Sequence, residues 1–464
     1  MPNLSMKLFK TLVFTITLCF SSLLLHAQVE EITIEKAVEL ALENNVQYKQ
    51  ARNNITNNKE AILQAKGDFL PSINGNFGGG ASSGFQFNNA TGEFDDFIIN
   101  SFNGGIGTNV NIFNGFRNIE TLRQAEFTNE SAEKRLERLK EQVIFETATS
   151  YLTILLNKNL VEISEENLNA SEEQLNLVME QVKVGARPIV DRFNQESVVA
   201  TNELDLIRRT NELNISEIRL VRALQLDPLK QYSFAQPGVE LDQMMPKTYS
   251  LTSLYDTAME NRSDLEAQLS DIEASKNAIN IAKSGLYPSL TASANFSSRY
   301  NDQTRAFEVI NGTPERVKVD FNNQFFTRNV QRSGNVSLRV PIFNNFSVRR
   351  SVQSAKVQYK NAQIQLKDQK LGVMVEVKQA LNDYNALVKE FETNDKALLA
   401  SKQNFDITRE RYNVGASTLI ELTQANAQYV NAQSNSVRTV YNLIFQEKVM
   451  DFFVGRLTEE ITIN

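Results

Sequence analysis

The amino-acid sequence predicts an α+β protein that is mainly helical and carries an internal two-fold repeat. Three observations in the 464 residues support this. Two stretches almost free of Gly and Pro are far too long for a compact core. Two pairs of segments alternate apolar and polar residues. Matching motifs recur at fixed distances along the chain.

The first long stretch, Arg117 to Val184, has 68 residues with neither Gly nor Pro. Leu136, Leu139, Val143, Ala148, Tyr151, Leu152 and Leu155 fall at helical spacing within it. Rich in Glu, Leu, Lys and Ala, it reads as a single helix. At 1.5 Å per residue such a helix runs roughly 100 Å. It ends in Gly185-Ala186-Arg187-Pro188. The second stretch, Ser347 to Val414, has no Pro and only Gly372 inside, and ends in Gly415-Ala416-Ser417. Two rods with matching ends imply a duplicated, elongated chain.

Residues 1–27 have the layout of a secretory signal. Lys7 and Lys10 form its basic start, Leu8 to Leu25 its apolar run, and Ala27 before Gln28 its cleavage position. An uncleaved anchor is the alternative, against which the run is short. Cys19 follows Leu18 rather than a small residue, which argues against a lipoprotein anchor. Removal of the segment takes away the only Cys and the only His, His26, and the sequence has no Trp. Disulfides, zinc sites built on Cys or His, and triads with a His base are thereby excluded; no cofactor is expected. The remaining 46 basic and 55 acidic residues give a charge of −9, which disfavours nucleic acid as a partner. No later stretch has 18 consecutive apolar residues, so no spanning helix is expected.

Along the mature chain, a helical pattern passes through Ala37, Leu40, Ala41, Tyr48, Ile55 and Ile62 to about Gly67, and Pro71 ends it. The period then becomes two. Ile73, Gly75 and Phe77 oppose Ser72, Asn74 and Asn76; from Phe102, Gly104, Ile106, Thr108 and Val110 oppose Asn103, Gly105, Gly107 and Asn109. These predict a hairpin over about 72–113, its connection a polar loop from about Gly78 to Ser101. After the Gly185 turn, Pro188 opens a helix to about Leu226, which Asp227-Pro228 stops. Residues 227–248 hold three of the nine prolines and read as a connector. Leu251 to Lys283 is helical again, as is 417–455.

Ala65-Lys-Gly-Asp-Phe-Leu-Pro-Ser-Ile returns as Ala282-Lys-Ser-Gly-Leu-Tyr-Pro-Ser-Leu at an offset of 217. Ile112-Phe-Asn-Gly-Phe returns as Ile342-Phe-Asn-Asn-Phe, and Val184-Gly-Ala as Val414-Gly-Ala, at 230. The offset grows by 13 within the hairpin, where insertions are tolerated. The second hairpin, about 289–343, sets Leu290, Ala292, Ala294, Phe296, Val336 and Leu338 against polar neighbours, with a long polar loop from Arg299 to Gly334.

Half-buried sheets in soluble proteins also alternate. Here each strand has about 9 to 12 residues, the length that crosses a bilayer at a tilt, and aromatics (Phe69, Phe113, Phe116; Tyr287, Phe343, Phe346) flank the strands. Four strands cannot close and lipid tolerates no open edge, so a membrane location requires several copies to share one barrel. Two half-length helices, 188–226 with 251–283 and 417–455 with 37–67, each sum to about one rod and can stack beside it.

With these features the chain resembles the TolC family of outer-membrane efflux proteins over essentially its whole mature length. The most specific segment is Arg411-Tyr-Asn-Val-Gly-Ala-Ser-Thr-Leu-Ile-Glu-Leu-Thr-Gln, similar to the family's helix-turn-helix at the periplasmic tip. Gln181-Val-Lys-Val-Gly-Ala-Arg-Pro-Ile-Val-Asp is its first-repeat counterpart. The resemblance implies a homotrimer in outer-membrane lipid, a 12-stranded barrel with four strands per chain, and a long periplasmic α-helical barrel. It implies docking on a periplasmic adaptor (membrane fusion) protein and an inner-membrane pump of the RND or ABC type. Val184, Gly185, Ala186, Val414, Gly415 and Ala416 would be the adaptor-facing tips, unless they are simple helix reversals. Glu421 falls where the family narrows its tunnel with acids, whereas the second such position holds Gln424; Asp191 is the first-repeat equivalent of Glu421. A carboxylate there also suits a solvated helix start.

The expected division is a signal at 1–27, repeats at 28–226 and 249–456 about the 227–248 connector, and a tail at 457–464. The expected function is passive export through an exit duct powered by a partner pump, without enzymatic chemistry. The competing readings are a periplasmic coiled-coil scaffold or adaptor without a barrel, and a hydrolase using carboxylates alone, for which no paired acids occupy a recognisable loop.

Overall fold

The computed structural model describes residues 30–88, 91–236 and 246–457. The expected signal at 1–27, the middle of the connector and the tail beyond 457 lie outside the described residues. The chain divides into two compact units. One, the helical unit, contains the chain up to Arg52, Arg135–Leu265 and the chain from Gln369 on; the other, the strand-bearing unit, contains Asn53–Lys134 and Glu266–Asp368.

The long helices are α3 (Arg117–Lys183) and α7 (Ser347–Asn413), 67 residues each and 230 apart. The helices that follow them, α4 (Ile189–Ala223) and α8 (Leu419–Phe453), have 35 residues each at the same offset. Where single helices are expected over 37–67 and 251–283, the chain makes two each: α1 (Ile34–Asn44) with α2 (Val46–Gly67), and α5 (Leu251–Asn261) with α6 (Ser263–Lys283). The breaks fall at Asn45 and Arg262, both non-helical at ψ 124 and 110. Side-chain chemistry explains them. Asn45 Oδ1 accepts the Tyr48 N–H at 2.9 Å and so caps α2. Arg262 is buried, donates two bonds to Asp264 (2.9 and 2.7 Å) and reaches Glu376 at 2.6 Å.

The core of the helical unit gathers Ala37, Val38 and Ala41 of α1, Val143, Ile144, Ala148, Tyr151, Leu152 and Leu155 of α3, Leu220 of α4, and Val440, Tyr441 and Ile444 of α8. A short parallel ribbon, β1 (Glu30–Ile32) with β4 (Tyr232–Phe234), completes it. The Tyr151 ring is fully buried, and its hydroxyl lies 2.8 Å from Ile32 O and 2.6 Å from Ala235 O. One phenol, with a single proton to donate, thus bridges the two segments; Ile32 O also accepts the Ala235 N–H at 3.0 Å.

The strand-bearing unit holds a four-stranded antiparallel sheet in the order β2-β3-β5-β8, formed by β2 (Ser72–Asn88), β3 (Glu93–Phe113), β5 (Ser289–Asn301) and β8 (Gln331–Arg339). Outer strands β2 and β8 pair on one side only. The register puts Ile73, Phe77, Ile106, Phe296, Val336 and Leu338 on one face, all exposed, and Asn, Ser, Thr and Gly on the other. A bulge between Asn111 and Phe113 sets Phe113, rather than Ile112, opposite Leu290. Strand β8 stops at Arg339, two residues before Pro341.

The structure departs from the expected loops in two places. The stretch 78–101 is not a loop: β2 and β3 pair continuously from Ser72↔Asn109 to Asn88↔Glu93, giving strands of 17 and 21 residues instead of 9 to 12. Cross-strand bonding needs only an extended backbone, which Gly and Ser supply; their low strand propensity hid it. The 299–334 stretch contains a second hairpin, β6 (Arg305–Ile310) with β7 (Thr313–Lys318), and a helical turn at Phe321–Arg328. Phe321, Phe325 and Phe326 of that turn stack among themselves and against Phe102 and Tyr300. Fully buried Gln324 anchors it, donating to Asn301 O (3.0 Å) and Val319 O (2.8 Å) and accepting the Asn301 N–H.

Candidate functional site

The tips of the helical unit are built from two helix reversals of the same design. Gly185 and Gly415 adopt φ 74 and 76, the left-handed conformation that an L side chain resists. Ala186 N–H donates to Gln181 O (2.8 Å) and Gly185 N–H to Val182 O (3.0 Å); Ala416 and Gly415 repeat this onto Arg411 O (2.7 Å) and Tyr412 O (3.0 Å). These are Schellman caps, which satisfy the carbonyls a helix end leaves open. They leave Val184 and Val414 each 78 % exposed at the turn, beside exposed Ile189, Val190, Phe193 and Ile420.

Behind the turns lies a small core of Val178, Tyr412, Leu419 and Leu422, packed by Val182 and Phe405. The Arg187 guanidinium lies 4.4 Å from the centre of the Tyr412 ring and 3.8 Å from the Asp191 carboxylate. Tyr412 is buried, and burial pushes its pKa up, against which the neighbouring Arg187 charge and the Gln174 side chain act. Deeper in, Asn426 Nδ2 donates to Asn167 Oδ1 at 2.8 Å, joining α8 to α3, and Phe405 stacks on Tyr429.

The residues singled out for a constriction are placed as follows. Glu421 forms a capping box with Thr418: its carboxylate accepts the Thr418 N–H at 3.1 Å, and Thr418 Oγ1 accepts the Glu421 N–H at 3.2 Å. The Ser417 hydroxyl donates to the same carboxylate, and this bond, with the backbone one, holds its pKa below the usual Glu value. Gln424 is exposed one turn on. Asp191 is half-buried beside Arg187, and its N–H donates to Pro188 O at 3.1 Å. Pro188 itself is the N-cap, one residue before the first helical position expected for it.

Residue-type reasoning missed the Arg187–Tyr412 contact, although a signal was present. At the 230 offset Val182 pairs with Tyr412, Arg187 with Ser417 and Pro188 with Thr418, so the contact is made where the two tips differ. Among the described residues no cluster of His, Cys, Asp or Glu could hold a metal ion, and no helix is long and apolar enough to cross a membrane.

Paired hairpins of long helices, valine-tipped reversals and a sheet with one exposed apolar face together define a membrane channel component. The sequence matches the family model for outer membrane efflux proteins over residues 37–225 and 254–448. The chain belongs to that family, one of channel proteins, and is an outer-membrane protein with a periplasmic helical extension. It is 21 % identical over 417 residues to the pyoverdine export outer membrane protein OpmQ of Pseudomonas aeruginosa, covering 87 % of this chain and 81 % of OpmQ. It is also 21 % identical over 323 residues to the outer membrane protein TolC of Escherichia coli, covering 69 % of this chain and 63 % of TolC. Among solved structures, it superposes on CusC with a TM-score of 0.75 at 16 % identity, covering 91 % of this chain and 92 % of that one. The Campylobacter jejuni CmeC outer membrane channel gives 0.74 at 17 % identity, covering 92 % and 87 %.

Proposed function

We infer that the chain is one third of an exit duct that exports solutes passively from the periplasm to the exterior. The observation that carries this reading is the sheet: four strands, both edges unpaired, one apolar face exposed. Such a sheet leaves backbone N–H and C=O groups unsatisfied in lipid, each at a cost of several kcal/mol. Three copies pairing β8 of one with β2 of the next close a 12-stranded barrel and remove every edge. In that barrel the Phe113–Phe116–Tyr287 and Phe343–Phe346 contacts form the periplasmic aromatic girdle, and the Phe102, Tyr300 and Phe321–Phe326 cluster the outer one.

The equal helix lengths at the 230 offset support two structural repeats, 28–226 and 249–456, about the 227–248 connector. The exposed valine tips suit docking on a periplasmic adaptor protein, and through it on an inner-membrane pump that supplies the energy. Glu421, Gln424 and Asp191 are the candidates for narrowing the tunnel behind the tips. Opening moves the tip helices and breaks no covalent bond.

Purification in detergent followed by reconstitution in planar bilayers tests the reading. A trimer with a stable ohmic conductance is expected; a monomer that does not conduct would sink it. Crosslinking from Ala186→Cys and Ala416→Cys in intact cells is expected to trap a periplasmic adaptor.

A further inference from the structure

The two faces of the four-stranded sheet differ in charge as well as in polarity. On the polar face Asn74, Gly107, Asn295 and Ser333 form one row, and the neighbouring rows are likewise uncharged. This neutral wall ends in a positive charge on either side. Arg299 stands opposite Asn103 towards the hairpin end, and Arg339 opposite Ser289 towards the helix end. Both side chains are exposed, and neither has a partner among the described residues. No carboxylate stands on this face along β5 and β8; Glu93 and Asp95 come only near the β2–β3 turn, beyond the last row shared with β5, and Asp96 falls on the other face. The apolar face carries a single charge over the same rows, Arg332, whose guanidinium lies 5.8 Å from the Phe296 ring.

Resting on the duct reading above, which turns the polar face to the lumen, Arg299 and Arg339 each become a ring of three positive charges in a trimer. A ring of Arg or Lys in a pore favours anions, because low-dielectric walls focus the field on the solute. The neutral amides and hydroxyls between the rings supply hydrogen bonds without opposing charge. We propose that the barrel section of the duct is an anion-preferring passage, suited to cargo bearing carboxylate or phosphate groups, with Arg299 and Arg339 as its specificity-determining residues.

Reversal potentials across planar bilayers in a KCl gradient test this with the full-length protein. Relative to wild type, the Arg299→Ser/Arg339→Ser double variant is expected to lower the chloride-to-potassium permeability ratio at least about two-fold. The Arg299→Lys/Arg339→Lys variant is expected to keep the wild-type ratio, and Arg332→Ser, on the apolar face, to leave it unchanged. An unaltered ratio in a conducting Ser variant overturns the proposal and leaves the duct intact. A shift on Arg332→Ser alone overturns the assignment of faces. A wild-type protein that does not conduct overturns the duct reading, and this one with it.

Discussion

The guanidinium of Arg187 lies 4.4 Å from the ring centre of Tyr412, so the loop of the first tip rests on the helix that leads into the second. Asp191, 3.8 Å from the same guanidinium, balances its charge. A partly desolvated pair of this kind is worth about 1 kcal/mol. A double-mutant cycle with Arg187→Ala and Tyr412→Leu, read by thermal unfolding, is expected to give a coupling of about that size. If the contact holds the tips together, Arg187→Ala also raises single-channel conductance; unchanged conductance would confine the pair to a packing role.

The cap of α8 titrates. Because the Ser417 and Thr418 bonds lower the folded-state pKa of Glu421, the stabilisation it adds is present above the ordinary Glu pKa. It disappears as pH falls through the lowered value. Glu421→Gln should therefore melt below wild type at neutral pH and converge with it in acid. Thr418→Ala, which removes the neutral half of the cap, is expected to cost about 1 kcal/mol at every pH.

Gln225 ends α4 in the left-handed region at φ 55, where its equivalent at the end of α8 is Gly455 at φ 70. A side chain there is strained by about 1 kcal/mol, partly offset by the bond from Gln225 Nε2 to Arg222 O at 3.0 Å. Gln225→Gly is expected to raise stability by up to about 1 kcal/mol in denaturant unfolding. A loss would show that the side-chain bond outweighs the strain.

Arg262 is expected to be the most sensitive charge in the helical unit. Burial pushes the Asp264 carboxyl up, but the hydrogen bonds and charge of Arg262 outweigh it and hold the pKa below the usual Asp value. Arg262→Ala leaves Asp264 half-buried without its cation and is expected to cost about 3 kcal/mol. With Arg262 in place, the Asp264 contribution persists above the ordinary Asp pKa and is lost as pH falls through the lowered one. The variant should therefore show a flatter stability profile in acid than wild type, read by thermal unfolding between neutral pH and pH about 3.

Tyr151→Phe removes the hydroxyl and leaves Ala235 O without this donor, while Ile32 O keeps the Ala235 N–H at 3.0 Å. The expected cost is about 1 to 3 kcal/mol, against less than about 1 kcal/mol if water replaces the phenol. Far-ultraviolet unfolding curves distinguish the two.

What the sequence by itself determined was whatever depends on neighbours in the chain. Sixty-seven residues without Pro or Gly can only run as a helix, so α3 was legible from its length and period. The reversals at Gly185 and Gly415 were legible because only a residue tolerant of positive φ ends a helix in that way. Period-two alternation assigned the faces of the four-stranded belt, since a one-residue slip would invert every side chain. The break at Asn45 rests on a local cap, the Tyr48 N–H on Asn45 Oδ1, and was within reach of the sequence though not read there; the break at Arg262 was not legible, because the partners that satisfy Arg262 include Glu376, 114 residues away. Nor was the continuation of β2 and β3 through a Gly- and Ser-rich stretch, nor the clustering of Phe321–Phe326 on Phe102 and Tyr300. Those features are settled by cross-strand bonds and ring contacts between distant segments, whose energy no local pattern contains; only the folded chain brings such partners within 3 to 6 Å of one another.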